Sequence, residues 1–427
     1  MAHPIPKSIL FFLALAISSI AQSLFAQALP EAWVCVSGDC GQGSNGFNSI
    51  QQAVNAVRVG GIVHVAEGVY VESVLIQSSI TLQGAGNDRV VVQGDTFSDC
   101  LTIYSSDVVI DGFTFRGGRN GLNGAMMNSS IRHCTIEDFA LDGMHLLNSD
   151  FNLIEGNAIV GSGATSTGNG LFLQGSRNNS IVGNTLSGNA YNIYLAADNG
   201  RVSQRNIVDG NTLLDPRFWS IELLADAPGA KLNFNVFKTT STNDRYIRNA
   251  MDAVVNAQYN WFGGENPPQS SDFSGGVDYS NYYATNMTVF MFPTIQYMKP
   301  GDELDVLVLG LVPAGTQVRG TTMTVGWNSS IAAFQGTPTQ GSFYTQKLVS
   351  PQNEFFQFNP LLPTNSVTID QSLMGGSTGA GNLTGIPYVG LFYILKFHGI
   401  TTGVSNLSLS NVSVRDPNNI PIASTIV

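Results

Sequence analysis

Charge is scarce in this sequence. Asp, Glu, Lys and Arg together make up 11% of its 427 residues, less than half of the roughly 25% found in an ordinary globular domain. Helical proteins need Glu, Lys and Arg along their wet faces, so a mainly helical fold is excluded. Basic residues are the scarcer kind, 19 against 30 acidic ones, for a net charge of −11. That balance argues against nucleic acid or an anionic membrane as partner, and it does not favour an anionic polysaccharide either. The four cysteines lack metal-site spacing. The five histidines show no paired spacing, and one lies at the extreme N-terminus. No metal site is therefore expected. Long apolar runs are missing beyond the first 30 residues, so no membrane span is predicted.

What is plentiful is glycine, at 46 residues, with many Asn, Ser and Thr. Such a mixture suits short strands joined by many tight turns. The N-terminus reads as a secretory signal over residues 1–28. Lys7 supplies the positive region, residues 9–17 an apolar run too short to span a bilayer, and Ala26-Gln27-Ala28 a cleavage site, with Leu24-Phe25-Ala26 as a second option. The expected location is extracellular, periplasmic or at the cell surface. In an oxidising compartment the neighbouring Cys35 and Cys40 can pair. Cys100 and Cys134 fall on different faces of the repeat described next and read as buried small residues.

The middle of the chain repeats itself. Ile154-Glu155-Gly156-Asn157-Ala158-Ile159 recurs as Ile181-Val182-Gly183-Asn184-Thr185-Leu186 and Val208-Asp209-Gly210-Asn211-Thr212-Leu213. Fainter copies centre on Asn235 and Asn260, and the asparagines are spaced 27, 27, 24 and 25 apart. Earlier copies place Cys134 and Gly112 at the same point. A second strand precedes each copy: Leu101-Thr102-Ile103, Ala125-Met126-Met127, Met144-His145-Leu146, Leu171-Phe172-Leu173, Ile193-Tyr194-Leu195 and Ile221-Glu222-Leu223. Apolar outer members around a mixed middle one give one buried and one wet face. The period is too short for a helix-containing repeat and fits one coil of a parallel β-helix. Stacked asparagines at a turn can bond the backbone above and below and tolerate left-handed φ, so they read as scaffold. Residues 49–57 form a short amphipathic stretch able to close the first coil, whose open edge needs a cover. Strands at 62–65, 74–76, 80–82 and 90–92 follow.

Residues 50–84 resemble the opening of the pectin-lyase-like superfamily: a capping helix, Gly60-Gly61, an apolar strand, then Glu67-Gly68-Val69-Tyr70. The repeat resembles secreted bacterial β-helix proteins, including the periplasmic copper-processing type. Asn260-Trp261-Phe262-Gly263, Pro267-Pro268 and Val277-Asp278-Tyr279-Ser280 are similar to their closing segment. The resemblance covers residues 45–283 and implies an all-β fold: a right-handed parallel β-helix with a short N-terminal capping helix. After Pro293 the periodicity changes to alternating strands at 304–309, 321–325, 366–369, 391–397 and 407–414, the pattern of a β-sandwich. Pro300-Gly301-Asp302, Trp327-Asn328-Ser329-Ser330-Ile331 and Gly341-Ser342-Phe343 resemble cohesin-like and carbohydrate-binding, jelly-roll-like sandwiches, which implies a protein partner or a surface attachment. No duplicated calcium loop of the dockerin type occurs. The expected domains are 29–290 for the β-helix and 291–427 for the sandwich.

The wet column of the repeated strand is expected to run Thr102, Met126, His145, Phe172, Tyr194, Glu222. The residues at its mouth run Asp99, Asn123, Asp142, Asn169, Tyr191, Trp219. Phe172, Tyr191, Tyr194 and Trp219, with Glu222, offer aromatic planes and a polar end for sugar rings. Asp142 and His145, three apart, can form an oriented base. Glu222 lies three coils away, about 14 Å at strand spacing, beyond the roughly 5–10 Å between glycosidase carboxylates. The Asn-Thr-Asp, Asp-Asp and Gly-His-Gly signatures of polygalacturonases are absent, as is the Asp-Pro-His-Asp of alginate epimerases. Pectate lyases pair a basic residue with acidic calcium ligands. Arg132, Arg217, Lys231 and Lys238 are the basic residues at hand and none sits in an acidic cluster; calcium is the one cofactor the resemblance admits. Two readings stay open: a protein that binds a polysaccharide, cell-surface glycan or protein partner without catalysis, and a polysaccharide lyase, hydrolase or epimerase centred on Asp142 and His145.

Overall fold

A computed structural model describes residues 29–426, apart from 38–39, 41–44, 162–166, 225–226, 239–244, 264–267, 281, 283–286, 293–294, 299, 302, 314, 341–352, 362–364, 375–379, 382–387 and 423. The expected signal segment and the Gly341-Ser342-Phe343 motif lie outside the described residues.

Residues 29–278 coil into three parallel sheets of nine strands each. The first sheet holds Gly46–Phe47, Leu29–Val34, Val57–Val65 and Ile80–Gly84, then one short strand per coil to Ile207–Asp209. The second runs from Gly68–Tyr70 to Trp261–Phe262, and the third from Val74–Ile76 to Phe273–Ser274. Inward residues stack in register. Ile110, Ile131, Ile154 and Ile181 form one fully buried column and Leu146, Leu173, Leu195 and Leu223 another. Burying one such side chain is worth about 1.5–3 kcal/mol.

The turns between sheets are held by polar ladders. At the turn from first to second sheet, the Cys134 N–H donates to Asn157 Oδ1 at 2.9 Å, and Asn157, Asn184, Asn211 and Asn235 each donate a backbone N–H to the next asparagine's Oδ1 at 2.6–2.9 Å. The rung before Cys134 is Phe113, since Ile110 and Ile131 are partners and the turn keeps step. The left-handed conformation falls on the residue before each asparagine: Gly156, Gly183, Gly210, Phe234 and Tyr259 have φ of 57° to 68°. The ladder asparagine is held for its hydrogen bonds alone, and glycine serves the neighbouring position at least steric cost. A second asparagine ladder, unforeseen, closes the turn from third to first sheet: Ser129, Asn152 and Asn179 each donate a backbone N–H to the next asparagine, ending on Asn206.

Helix α1 (Ile50–Ala56) covers the first coil. Ser49 caps it, and Glu72 accepts from the N–H groups of Ile50 at 2.8 Å and Gln51 at 3.0 Å, so orphan donors of the first turn are satisfied. Cys35 and Cys40 form a disulfide beside this cap, while Cys100 and Cys134 are free and buried. At the far end Phe262, Phe273 and Tyr279 cluster, with Phe273 stacked on Tyr279 at 4.3 Å.

The remaining chain forms two five-stranded sheets packed as a sandwich. The nearer contains Met287–Phe292, Glu303–Val312, Ala332–Gln340, Tyr388–Gly399 and Ser424–Ile426. The farther contains Gly320–Gly326, Asn353–Leu361, Ser366–Met374, Ser408–Arg415 and Pro421–Ile422. Strand Met287–Phe292 begins before residue 291 and pairs within the sandwich. In Glu303–Val312 the even residues Val306 and Val308 face the sandwich core. Leu307, Leu309 and Leu311 pack with Val182, Val236 and Trp261 of the β-helix. The nearer sheet is thus covered on both sides.

Candidate functional site

The third sheet turns its outer face to solvent, and registration there decides the site. The strands pair so that Thr102, Asn123, His145, Phe172, Tyr194, Glu222 and Arg248 form one outward column. Asn123 therefore stands where Met126 was expected, and Asn120 stands at the mouth in place of Asn123. The strand in that coil is Leu122–Gly124, with Gly124 in the inward slot between Ile103 and Leu146. Glycine in a core position hides the alternation. Met126 is 3% exposed and lies in the turn, its N–H donating to Ser149 Oγ at 3.0 Å.

The mouth residues Asp99, Asn120, Asp142 and Asn169 make another turn ladder. Asn120 donates its backbone N–H to Asp99 at 3.2 Å, Asp142 to Asn120 at 3.0 Å and Asn169 to Asp142 at 2.9 Å; the Asn169 side chain adds a bond of 2.8 Å to the same Asp142 oxygen. Burial pushes the Asp142 carboxyl above its usual range, opposed by the Asn169 N–H and by His145. The other Asp142 oxygen is 3.8 Å from His145 Nδ1, beyond hydrogen-bond distance. His145 Nε2 instead donates to Gln174 Oε1 at 3.0 Å. Asp142 is thus a rung of the scaffold, and the His145 nitrogen free of Gln174 has the Asp142 carboxylate at 3.8 Å.

The ring of His145 stacks on Phe172, with centroids 4.6 Å apart and planes 13° apart. Phe172 meets Tyr194 at 5.1 Å, Tyr194 meets Tyr191 at 5.2 Å, and Tyr191 meets Phe218 at 5.4 Å. Trp219 opposes Tyr191 in the pairing. All six rings remain partly open to solvent. The result is an aromatic strip along the rod, about 14 Å from His145 to Glu222 at one strand spacing per coil. Its C-terminal end is polar: Glu222, 3% exposed, is bonded to Arg248 at 3.0 Å. Burial raises the Tyr191 and Tyr194 hydroxyls above their usual range, and the Glu222 carboxylate adds to this in both. Arg217 lies over Phe218 at 4.9 Å and Arg245 over Trp219 at 5.9 Å.

Structure brings Phe172, Tyr191, Tyr194, Trp219 and Glu222 together and adds His145 to them as a ring. Sequence reasoning missed Phe218 and Gln174; the adjacency of Phe218 to Trp219 was the available signal. Among the described residues no group of three or more His, Cys, Asp or Glu is arranged to hold a metal ion.

The family model of the right handed beta helix region matches residues 77–237. The chain is a right-handed β-helix protein. A cell surface glycoprotein of Methanothermus fervidus is 30% identical over 95 residues, which make up 22% of this chain and 15% of that relative. Among solved structures, the pectate lyase Pel9A aligns with 60% of this chain and 78% of its own, at 13% identity and a TM-score of 0.47. A non-cellulosomal cohesin from the archaeon Archaeoglobus fulgidus aligns with 33% of this chain and 86% of its own, at 14% identity and a TM-score of 0.24. The Dettilon tailspike protein aligns with 84% and 90%, at 12% and 0.34. No described helix of this β-helix protein is long and apolar enough to cross a membrane.

Proposed function

We propose that this protein is an extracellular glycan-binding rod, in which the aromatic strip of the third sheet stacks against consecutive sugar rings. The observation that carries this reading is the unbroken run of partly open rings from His145 through Phe172, Tyr194 and Tyr191 to Phe218. Ring faces offer apolar area to the C–H faces of a sugar, while His145, Gln174, Glu222 and Arg248 along the edges suit its hydroxyls. Binding without catalysis is favoured because Asp142 is spent on Asn169 and His145 on Gln174. The farther sheet of the sandwich is turned away from the rod, which leaves it for a protein or surface partner.

Affinity gels containing individual polysaccharides test the reading. At least one should retard the native chain, and Tyr194→Ala and Trp219→Ala should each weaken retention roughly fivefold, the equivalent of about 1 kcal/mol per aromatic contact. Mobility of both variants equal to native in every retarding gel would refute the strip. Release of unsaturated or reducing sugar by the native chain, lost in His145→Ala, would replace binding with catalysis.

A further inference from the structure

The sandwich does not rest on the β-helix through apolar contacts alone. Beside the cluster of Val182, Val236 and Trp261 with Phe290, Leu307, Leu309 and Leu311 sits a group of charges. Arg132 reaches across the junction to Asp305 at 3.7 Å and, on its own side, to Asp111 at 3.6 Å. His133 Nδ1 is 2.9 Å from Asp111, and Lys396 is 3.6 Å from Asp305. Glu155, 3% exposed, is the strand partner of Arg132. Glu155 Oε1 and Arg132 Nε are both buried without a hydrogen-bond partner among the described residues. The β-helix thus contributes Asp111, Arg132, His133 and Glu155; the sandwich strands contribute Asp305 and Lys396. Asp209 and Lys231 lie farther along the same side, beyond Val182.

We propose that this cluster is a pH-sensitive latch, holding the sandwich on the β-helix more tightly in mildly acidic than in alkaline solution. When His133 is charged it neutralises Asp111, and Arg132 is left to pair across the junction. When His133 loses its proton, Asp111 competes for Arg132. Ionisation of Glu155 then places a third negative charge near Asp305. Both groups act in the same sense. The bond to Asp111 raises His133 despite its burial, and burial raises Glu155. Asp305 of the sandwich is among the charges that raise Glu155, so docking favours its protonated form, whereas His133 is raised by Asp111 and Glu155 on its own side of the junction. The Glu155 contribution to docking is present while its carboxyl is protonated and is lost as pH rises through its raised value. The apolar contact persists at all pH, so the latch shifts an equilibrium between closed and loosened junctions.

The test uses the full chain with dyes at Val254→Cys and Ile420→Cys, positions 66% and 59% exposed. Cys100 and Cys134 are buried and stay unlabelled. Single-molecule energy transfer should show the loosened population rising at least about twofold between roughly pH 5 and pH 9, the span over which His and raised carboxyls titrate. Salt at about 1 M, where charges are screened beyond about 3 Å, should flatten that rise. Glu155→Gln should stay closed at alkaline pH, and His133→Gln should loosen already in acid. A distance distribution that ignores pH, or a pH response that salt and both variants leave intact, would overturn the latch. The pH comparison needs only the labelled parent, so misfolding of a variant does not spare the proposal.

Discussion

Asn184 is the rung whose removal best tests the account of the scaffold. It is 1% exposed. Its Oδ1 accepts the Asn157 backbone N–H at 2.9 Å and the Asn157 side chain at 3.0 Å, and its Nδ2 donates to Ile154 O at 2.8 Å, Val182 O at 3.1 Å and Asn211 Oδ1 at 3.0 Å. Asn184→Ala strips all of these. The Asn157 N–H is then buried without a partner, at about 1–3 kcal/mol, and the lost side-chain bonds add about 1 kcal/mol each where carbonyls keep other donors. The sum is about 3–5 kcal/mol, or a fall of about 6–20 °C in thermal midpoint for a domain near 250 residues. Gln83→Ala, at an exposed position of the same sheet, should change stability by no more than about 0.5 kcal/mol. Thermal denaturation supplies the midpoints. A coiled stack need not unfold in one step, so hydrogen exchange at the Asn157 amide supplies the local readout. That amide should lose protection far more than amides four coils away. If Asn184→Ala and Gln83→Ala had equal midpoints and equal Asn157 protection, the ladder would not be what holds the turns.

Two further outcomes follow from buried titrating groups. Burial raises the Asp209 carboxyl to about 7, with the Asn233 N–H and Lys231 opposing. Its folded value exceeds its unfolded one, so its ionisation erodes stability from the ordinary carboxylate range up to about pH 7. Asp209→Asn should therefore raise the urea midpoint at pH above about 7 and leave it nearly unchanged near pH 4; equal shifts at both would refute the assignment. Burial likewise pushes the Cys100 thiol to about 11 and the Cys134 thiol to about 12. Both should resist a disulfide exchange reagent at neutral pH until denaturant is added, and prompt reaction in the native protein would contradict their burial.

Much of the rod was legible because its signal is repetitive. The spacing of Asn157, Asn184, Asn211, Asn235 and Asn260 reports one coil each, and every one is a hydrogen-bonded rung. Where a coil departs from the pattern, reading failed for a physical reason. Gly124 fills an inward slot without being apolar, so the strand was placed at Met126. The ladder of Ser129, Asn152, Asn179 and Asn206 repeats as plainly but lies among other polar turn residues. For Asp142 and His145 the sequence shows their spacing and not their partners. Asn169 and Gln174, which hold them, come from the next coil.

The amino-acid pattern by itself determined the all-β class, the coil period, the inward columns and the change of architecture near residue 290. Local hydrogen-bonding and burial preferences repeat with the chain and need no distant partner to be read. Tertiary structure alone decided which outward residues meet. The run from Leu304 to Leu311 holds apolar residues for both of its faces, and only the docked β-helix explains the outer ones, Leu307, Leu309 and Leu311. The aromatic strip likewise exists only because each coil lands in register on the last, bringing His145, Phe172, Tyr194 and Glu222, far apart in sequence, each to about one strand spacing from the next.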